Sequence, residues 1–158
     1  MAFAIFIAAL IVLHLLLHIG LGLGAVAPDL ITVALLLASR RMNRALAASF
    51  GALMGLLRDA LALVAFGADM IALALLGYLG ARGRELFVGD SWFFVVVYLF
   101  VGKWLHDAIF YALTAVVALS GTVDMVPQLL LRSPIEAAYA AAAGVVALAL
   151  YRGLTGER

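Results

Sequence analysis

The stretch GALMGLLRDALALVAFGADM, residues 51–70, has the composition of a membrane-crossing helix but carries two charges near its centre. Arg58 and Asp59 stand side by side among leucine, alanine and valine. A helix of about 20 apolar residues is long enough to cross the hydrocarbon core of a bilayer. An unpaired charge at that depth costs at least about 2.5–3.5 kcal/mol on insertion scales. The stretch therefore predicts a transmembrane helix whose two charged side chains find partners.

The rest of the chain is as apolar as this stretch. Of its 158 residues, 68% are hydrophobic and 12% are charged, and the mean hydropathy is +1.22. A soluble domain of this length cannot bury so much apolar surface, so residues 1–158 are predicted to form one integral membrane domain. The net charge of +1 gives no basic excess for binding nucleic acid. The absence of cysteine excludes disulfides, thiolate metal sites and cysteine nucleophiles.

Six segments are apolar enough to be candidate spans. They are residues 2–22, 28–38, 45–66, 68–79, 92–119 and 134–151, of which the second and the fourth are short. Only helices and closed barrels satisfy the backbone in lipid, and these runs lack the two-residue alternation of barrel strands. The expected fold class is therefore an all-α integral membrane protein, a six-helix transmembrane bundle.

The arginines outside the spans predict the orientation. They cluster between spans two and three, between spans four and five, and after span six, which is the same side of the membrane if the chain crosses six times. The positive-inside rule makes that side cytoplasmic and places both termini there. Arg132 is the exception, in a loop of residues 120–134 that is expected to lie along the outer interface, partly as a short helix. The clustered residues are Arg40, Arg41, Arg44, Arg82, Arg84, Arg152 and Arg158.

Ionisable residues in spans one, three and five fall at one depth. These spans run in the same direction, and their polar residues lie roughly 17–24 Å from the inner boundary at a rise of ~1.5 Å per residue. Asp29 and Asp69 stand at the outer ends of spans two and four, just above. The candidate residues of this polar layer are His14, His18, Asp29, Arg58, Asp59, Lys103, His106 and Asp107.

Pairing within the polar layer can be proposed from spacing. Lys103 and Asp107 are four residues apart and can meet on one helix face. Arg58 and Asp59 are about 100° apart around their helix, so they cannot both face one partner squarely. The further hypothetical pairs are Asp59 with His18 or Lys103, and Arg58 with Asp107 or Asp29.

Cofactor chemistry has weak support in this sequence. His14 and His18 lie on one helix face and could hold a metal or a haem, but two ligands do not make a site and the glutamate of a zinc-protease motif is absent. The His106-Asp107 pair resembles a phosphohydrolase metal motif but stands alone within a span. Neither a metal nor a cofactor is therefore expected.

Catalysis is not expected either, because the candidate nucleophiles Thr114, Ser120 and Ser133 lack a convincing base. Three roles remain open for the polar layer: a groove that binds a partner, a purely structural brace, and a site for a small molecule or an ion.

The order of motifs between residues 28 and 84 resembles a known family. Pro28 and Asp29 open the second span, SRRMNR forms a basic loop, and FGALMGLLRD is followed by a glycine and then by GYLGAR. This pattern resembles the bacterial rod shape-determining protein MreD family, although the chain has no basic residue before its first span. The family-pattern positions are Pro28, Gly51, Gly55, Asp59, Gly67 and Gly77, and the glycines are expected to permit close helix packing.

The resemblance implies a non-catalytic subunit of the machinery that guides lateral peptidoglycan synthesis, in the bacterial cytoplasmic membrane. Its implied partners are the transmembrane or juxtamembrane segment of MreC, through it MreB, RodA and the transpeptidase of RodA, the lipid, and a second copy of the chain as a homodimer. The family is similar to the S-components of energy-coupling-factor transporters, whose fold has six helices. An S-component is thus the alternative function, with His14, His18 and Asp107 as candidate ligand contacts.

Overall fold

The computed structural model describes residues 1–22, 27–61, 66–83, 91–118 and 127–156. These residues are mostly helical, and no strand occurs within the described ranges. A π-helical turn, Leu16–Gly20, extends the first helix, and another, Gln128–Arg132, leads into the last. The six helices are α1 (Ala2–Leu15), α2 (Leu30–Ser39), α3 (Arg44–Leu61), α4 (Ala68–Gly83), α5 (Trp92–Ala118) and α6 (Ser133–Thr155).

Three of the helical segments are long and apolar enough to cross a membrane. They are Ala2–Gly20, Trp92–Val116 and Gln128–Thr155, whose length and composition indicate a membrane protein. The other three helices are shorter or more polar: α2 has 10 residues, α4 has 16, and α3 has 18 with three charged side chains. The prediction of six crossings stays a prediction.

The helix bounds differ most from the predicted spans at the ends of α4 and α6. Helix α4 continues to Gly83, beyond the predicted span of residues 68–79, and α6 continues to Thr155, beyond the predicted span of residues 134–151. In the loop of residues 120–134, the described part is a helical turn that runs directly into α6. This turn contacts α5, because Trp104 Nε1 donates a hydrogen bond to the carbonyl of Leu129 at 3.2 Å. Parts of two predicted spans, residues 62–65 and 119, and the arginines at 84 and 158 lie outside the described residues.

Helix α2 is the centre of the structure, since it contacts each of the other five helices. All ten of its residues are buried. At ~1.5 Å per residue it is only about 15 Å long, half the hydrocarbon thickness. A short helix is tolerated there because protein, not lipid, surrounds its backbone. Its two hydroxyl side chains have partners, as Thr32 donates to Asp29 and Ser39 to the carbonyl of Leu36.

Helices α3 and α4 pack so closely that glycine is required at three contact points. A Cβ atom at Gly51 would lie closer than 3.0 Å to the backbone of Leu73, and one at Gly77 closer than 3.0 Å to that of Ala47. At Gly55 the obstruction would be the backbone of Asp69 and of the residue that follows it. This is the close approach that the G-x-x-x-G spacing predicts.

Aromatic and basic side chains meet at one end of the bundle, which we call the basic end. The guanidinium of Arg41 lies 3.9 Å from the ring centre of Phe3, and that of Arg152 lies 4.9 Å from the ring centre of Trp92. Phe3 also contacts the ring of Tyr151 edge-on. These contacts join the start of α1, the end of α2, the start of α5 and the end of α6. The opposite end, where α2, α4 and α6 begin, is called the polar end.

Candidate functional site

Asp29 lies at the polar end, where it caps the N-terminus of α2. Its Oδ1 accepts a hydrogen bond from the backbone N–H of Thr32 at 3.1 Å, and its Oδ2 accepts one from the Thr32 hydroxyl at 2.7 Å. Aspartate is favoured at this position because a helix begins with unpaired N–H groups and a partial positive charge. The cap fixes the carboxylate where charged groups of other helices reach it.

Arg58 joins α3 to two other helices. Its Nη1 donates to Asp29 Oδ2 at 3.0 Å, and its Nε lies 3.5 Å from Asp69 Oδ2 at the start of α4. Of the two partners proposed from the sequence, Asp29 is the one it contacts. Its side chain is 25% exposed, more than those of the carboxylates it binds. Arg58 therefore holds two helix starts together while part of its guanidinium stays open.

Lys103 and Asp107 form the ion pair that their spacing on α5 predicts. Lys103 Nζ also lies 3.8 Å from Asp29 Oδ2, which connects α5 to α2. Asp107 Oδ2 accepts a hydrogen bond of 2.6 Å from the hydroxyl of Ser133, the first residue of α6. One buried pair on α5 thereby contacts both α2 and α6.

His106 lies between two carboxylates. Its Nδ1 is 3.1 Å from Asp107 Oδ1, and its Nε2 is 3.1 Å from Asp69 Oδ1 on α4. Its side chain is 2% exposed. The ring of Phe110, one turn further along α5, lies nearly parallel to the imidazole with the ring centres 6.2 Å apart.

Asp59 does not belong to this network, and its expected pairing with His18 or Lys103 is not what the structure shows. Its carboxylate instead accepts three backbone N–H groups at the start of α4. The donors are Gly67 at 3.0 Å, Asp69 at 3.2 Å and Met70 at 2.9 Å. The physical reason is that Asp59 points about 100° away from Arg58 around α3, toward a helix start that needs acceptors.

Gly67 makes this turn possible. Its φ of 95° lies in the left-handed region, which side chains with a Cβ rarely adopt. The chain can therefore fold back onto Asp59 directly before α4 begins.

His14 and His18 lie at the end of α1 as a stacked pair. Their ring centres are 3.9 Å apart, and His18 Nδ1 lies 3.1 Å from the carbonyl oxygen of His14. His14 is 6% exposed, and its Nδ1 has no hydrogen-bond partner. Within the described residues, no group of three histidine, aspartate or glutamate side chains is arranged to hold a metal ion.

A cavity of about 450 Å³ opens among these groups. Its lining includes His14 of α1, His18 of the π-helical turn that follows, and Glu136 and Tyr139 near the start of α6. Glu136 at this rim forms an exposed ion pair of 3.1 Å with Arg132. The polar residues that line the cavity are His14, His18, Asp29, Arg58, Asp69, Lys103, Glu136 and Tyr139.

The structure thus brings seven of the eight sequence candidates together at the polar end, through direct contacts or a shared cavity wall, and adds four residues that the predicted polar layer did not contain. Asp69 is a full member of the network, although the sequence places it only above the layer. Glu136 and Tyr139 come from the first turns of α6 and had no predicted role, whereas Ser133 was considered only as a candidate nucleophile. An acidic residue in the first turn of α4 and a serine at the start of α6 are the signals that could have found Asp69 and Ser133.

No family model, no curated protein and no solved structure matches this chain.

Proposed function

We propose that the chain is a non-catalytic membrane subunit of the bacterial cell-elongation machinery, related to MreD, that binds MreC and helps direct lateral peptidoglycan synthesis. The main support for the proposal is that most of the family-pattern residues lie together in the structure. Gly51, Gly55 and Gly77 lie in the contact between α3 and α4, and Asp59 and Gly67 form the turn that begins α4. Pattern residues that build one structural unit support a resemblance better than residues scattered over the fold.

The proposal includes six crossings in the bacterial cytoplasmic membrane, as in an S-component. Helix α2 is too short to span the hydrocarbon core, but all its residues are buried. Its ends would therefore be surrounded by protein and not by lipid. Arg41 and Arg152 meet aromatic residues at the basic end. The positive-inside rule would make that end cytoplasmic and the polar end external.

The partner contact is better assigned to α1 than to the buried ion pairs. The charged side chains of the polar end are already engaged in ion pairs within the chain, so a partner would have to break those pairs to use them. Helix α1 leaves most of its surface uncovered, since 17% of its apolar window is buried compared with 39% in α5. Ile5, Val12 and Ile19 are each more than half exposed and are spaced along the length of Ala2–Gly20.

Site-specific photocrosslinking in cells tests this contact. A photoreactive amino acid is placed at Ile5, Val12 or Ile19, with Val146 and Leu150 on the exposed face of α6 as matched controls. The expected result is a crosslink to MreC from the α1 positions and not from the α6 positions. Crosslinks from α6 alone would move the contact to that helix, and crosslinks to a second copy would indicate a homodimer. Failure of MreC to copurify with the intact protein would overturn the proposed function.

The second candidate is an S-component of an energy-coupling-factor transporter, and the cavity is the observation that favours it. A volume of about 450 Å³ lined by ionisable side chains falls within the range of small-molecule sites. Native mass spectrometry of the purified protein discriminates the two functions. A small molecule retained at one copy per chain and lost in Arg58→Met would favour transport. A ligand-free protein that still captures MreC would favour the elongation machinery.

A further inference from the structure

The contacts of His106 require more protons than a neutral imidazole carries. A neutral imidazole donates from one ring nitrogen only, and an ionised carboxylate cannot donate at all. Yet both ring nitrogens lie 3.1 Å from carboxylate oxygens, Asp107 Oδ1 on one side and Asp69 Oδ1 on the other. Two acceptors facing each other at this distance in a buried site would be strongly unfavourable.

The position of Lys103 decides where the extra proton lies. Asp107 Oδ1 already accepts from the ammonium of Lys103, so it serves as an acceptor for His106 as well. His106 Nδ1 is therefore the donor in the contact with Asp107. What remains is the contact between His106 Nε2 and Asp69 Oδ1, which needs a proton on one of these two atoms.

The charge balance of the buried network gives the same result independently. The permanent cations are Arg58 and Lys103, and the carboxylates that contact them or His106 are Asp29, Asp69 and Asp107. Three negative charges against two positive ones leave one negative charge in excess. Asp59 is outside this count because it contacts neither a cation nor His106; its carboxylate accepts backbone N–H groups. One added proton brings the buried network to zero, which a low-dielectric membrane interior strongly favours.

We propose that the polar end is a proton-binding site, in which one dissociable proton is held between His106 Nε2 and Asp69 Oδ1. This inference does not rest on the proposed function. Asp69 lines the cavity, so the cavity gives the proton its route to solvent. The charged and titratable groups around the site are Asp69 on α4, Asp107 and Lys103 on α5, Asp29 before α2, Arg58 on α3 and His14 on α1.

NMR of the wild-type protein in lipid nanodiscs tests the proposal. The ring nitrogens of histidine and the carboxyl carbons of aspartate are isotope-labelled, and the signals of His106 and Asp69 are assigned from their loss in His106→Gln and Asp69→Asn. At neutral pH we expect either a doubly protonated His106 or a neutral His106 beside a protonated Asp69 carboxyl. Both results place the proton where it is proposed. A His106 with only one ring proton, on either nitrogen, together with an ionised Asp69 in the same sample would overturn the proposal.

A pair of matched substitutions distinguishes a proton bound for the charge balance of the network from a general effect of removing a nearby carboxylate. Glu136→Gln removes a carboxylate at the cavity rim, where the Glu136 side chain is 37% exposed. The NMR signals of His106 should not shift in this variant. In Asp107→Asn, which removes one charge from the network itself, the extra proton is no longer needed for neutrality, and His106 with Asp69 should together carry one proton fewer. Equal responses in both variants would contradict a proton bound for local charge balance. Because the main measurement uses the wild-type protein, it remains decisive if a network variant fails to fold.

Discussion

Arg58 and Asp59 are neighbours in the chain, yet their side chains bind different parts of the structure. Arg58 reaches across to Asp29 before α2 and to Asp69 on α4, whereas Asp59 is occupied by three backbone N–H groups of the turn into α4. One charge connects helix starts through ion pairs, and the other caps a helix start. The two adjacent charges therefore have separate roles and should respond differently to substitution.

Removing the cap at Asp59 should lower stability more than removing its charge alone. Asp59→Ala leaves three N–H groups without their acceptor, at a cost of about 1–3 kcal/mol for each buried group that stays unsatisfied. Asp59→Asn keeps one acceptor oxygen and the same shape, so its loss should be smaller. Thermal unfolding in detergent, followed by tryptophan fluorescence, measures the difference. Equal unfolding temperatures for the two variants would contradict the capping role.

The glycines between α3 and α4 should not tolerate even one methyl group. In Gly55→Ala the new Cβ meets the backbone of α4, which cannot shift as the end of a flexible side chain can. Overpacking of this kind costs typically about 1–3 kcal/mol, and the yield of folded protein should fall accordingly. The matched control is Gly153→Ala on α6, where no atom lies within 4 Å of the added Cβ. A Gly55→Ala protein as stable as this control would show that the two helices can separate without cost.

The helices were the part of the fold most open to sequence analysis, because long apolar runs in a chain of this composition have few alternatives. Which side of a helix a charge faces was not predictable, since rotation about the helix axis is set by contacts with other helices. Asp59 illustrates this, because its role depends on the left-handed turn at Gly67. The central position of α2 was not predictable either, because a run of ten apolar residues is compatible with burial in lipid and with burial in protein.

Breaking the buried ion pair on α5 should cost more than removing it completely. Lys103→Met leaves Asp107 with His106 and Ser133 but without its cation, and removal of one partner of a buried pair typically costs about 3–5 kcal/mol. The double variant Lys103→Met with Asp107→Asn removes both charges and should recover part of that loss. Unfolding temperatures of the two single variants and the double variant complete a double-mutant cycle. Additive losses would mean that the two charges do not interact.

Arg58 and Arg132 both form ion pairs at the polar end, but the more buried Arg58 should contribute much more to the free energy of unfolding. Arg58→Met leaves Asp29 and Asp69 without a shared cation, so a loss of about 3–5 kcal/mol is expected. Arg132→Gln breaks an exposed pair with Glu136, in which the arginine side chain is 62% exposed, and such pairs contribute about 0–1 kcal/mol. Arg58→Lys should rescue only part of the loss, because one ammonium cannot reproduce the two-sided contact of the guanidinium. Unfolding temperatures of the three variants at low and high salt measure these effects, and salt should weaken only the Arg132 pair. If Arg58→Met and Arg132→Gln were equally stable, the ion pairs at the start of α2 and α4 would not be what holds the polar end together.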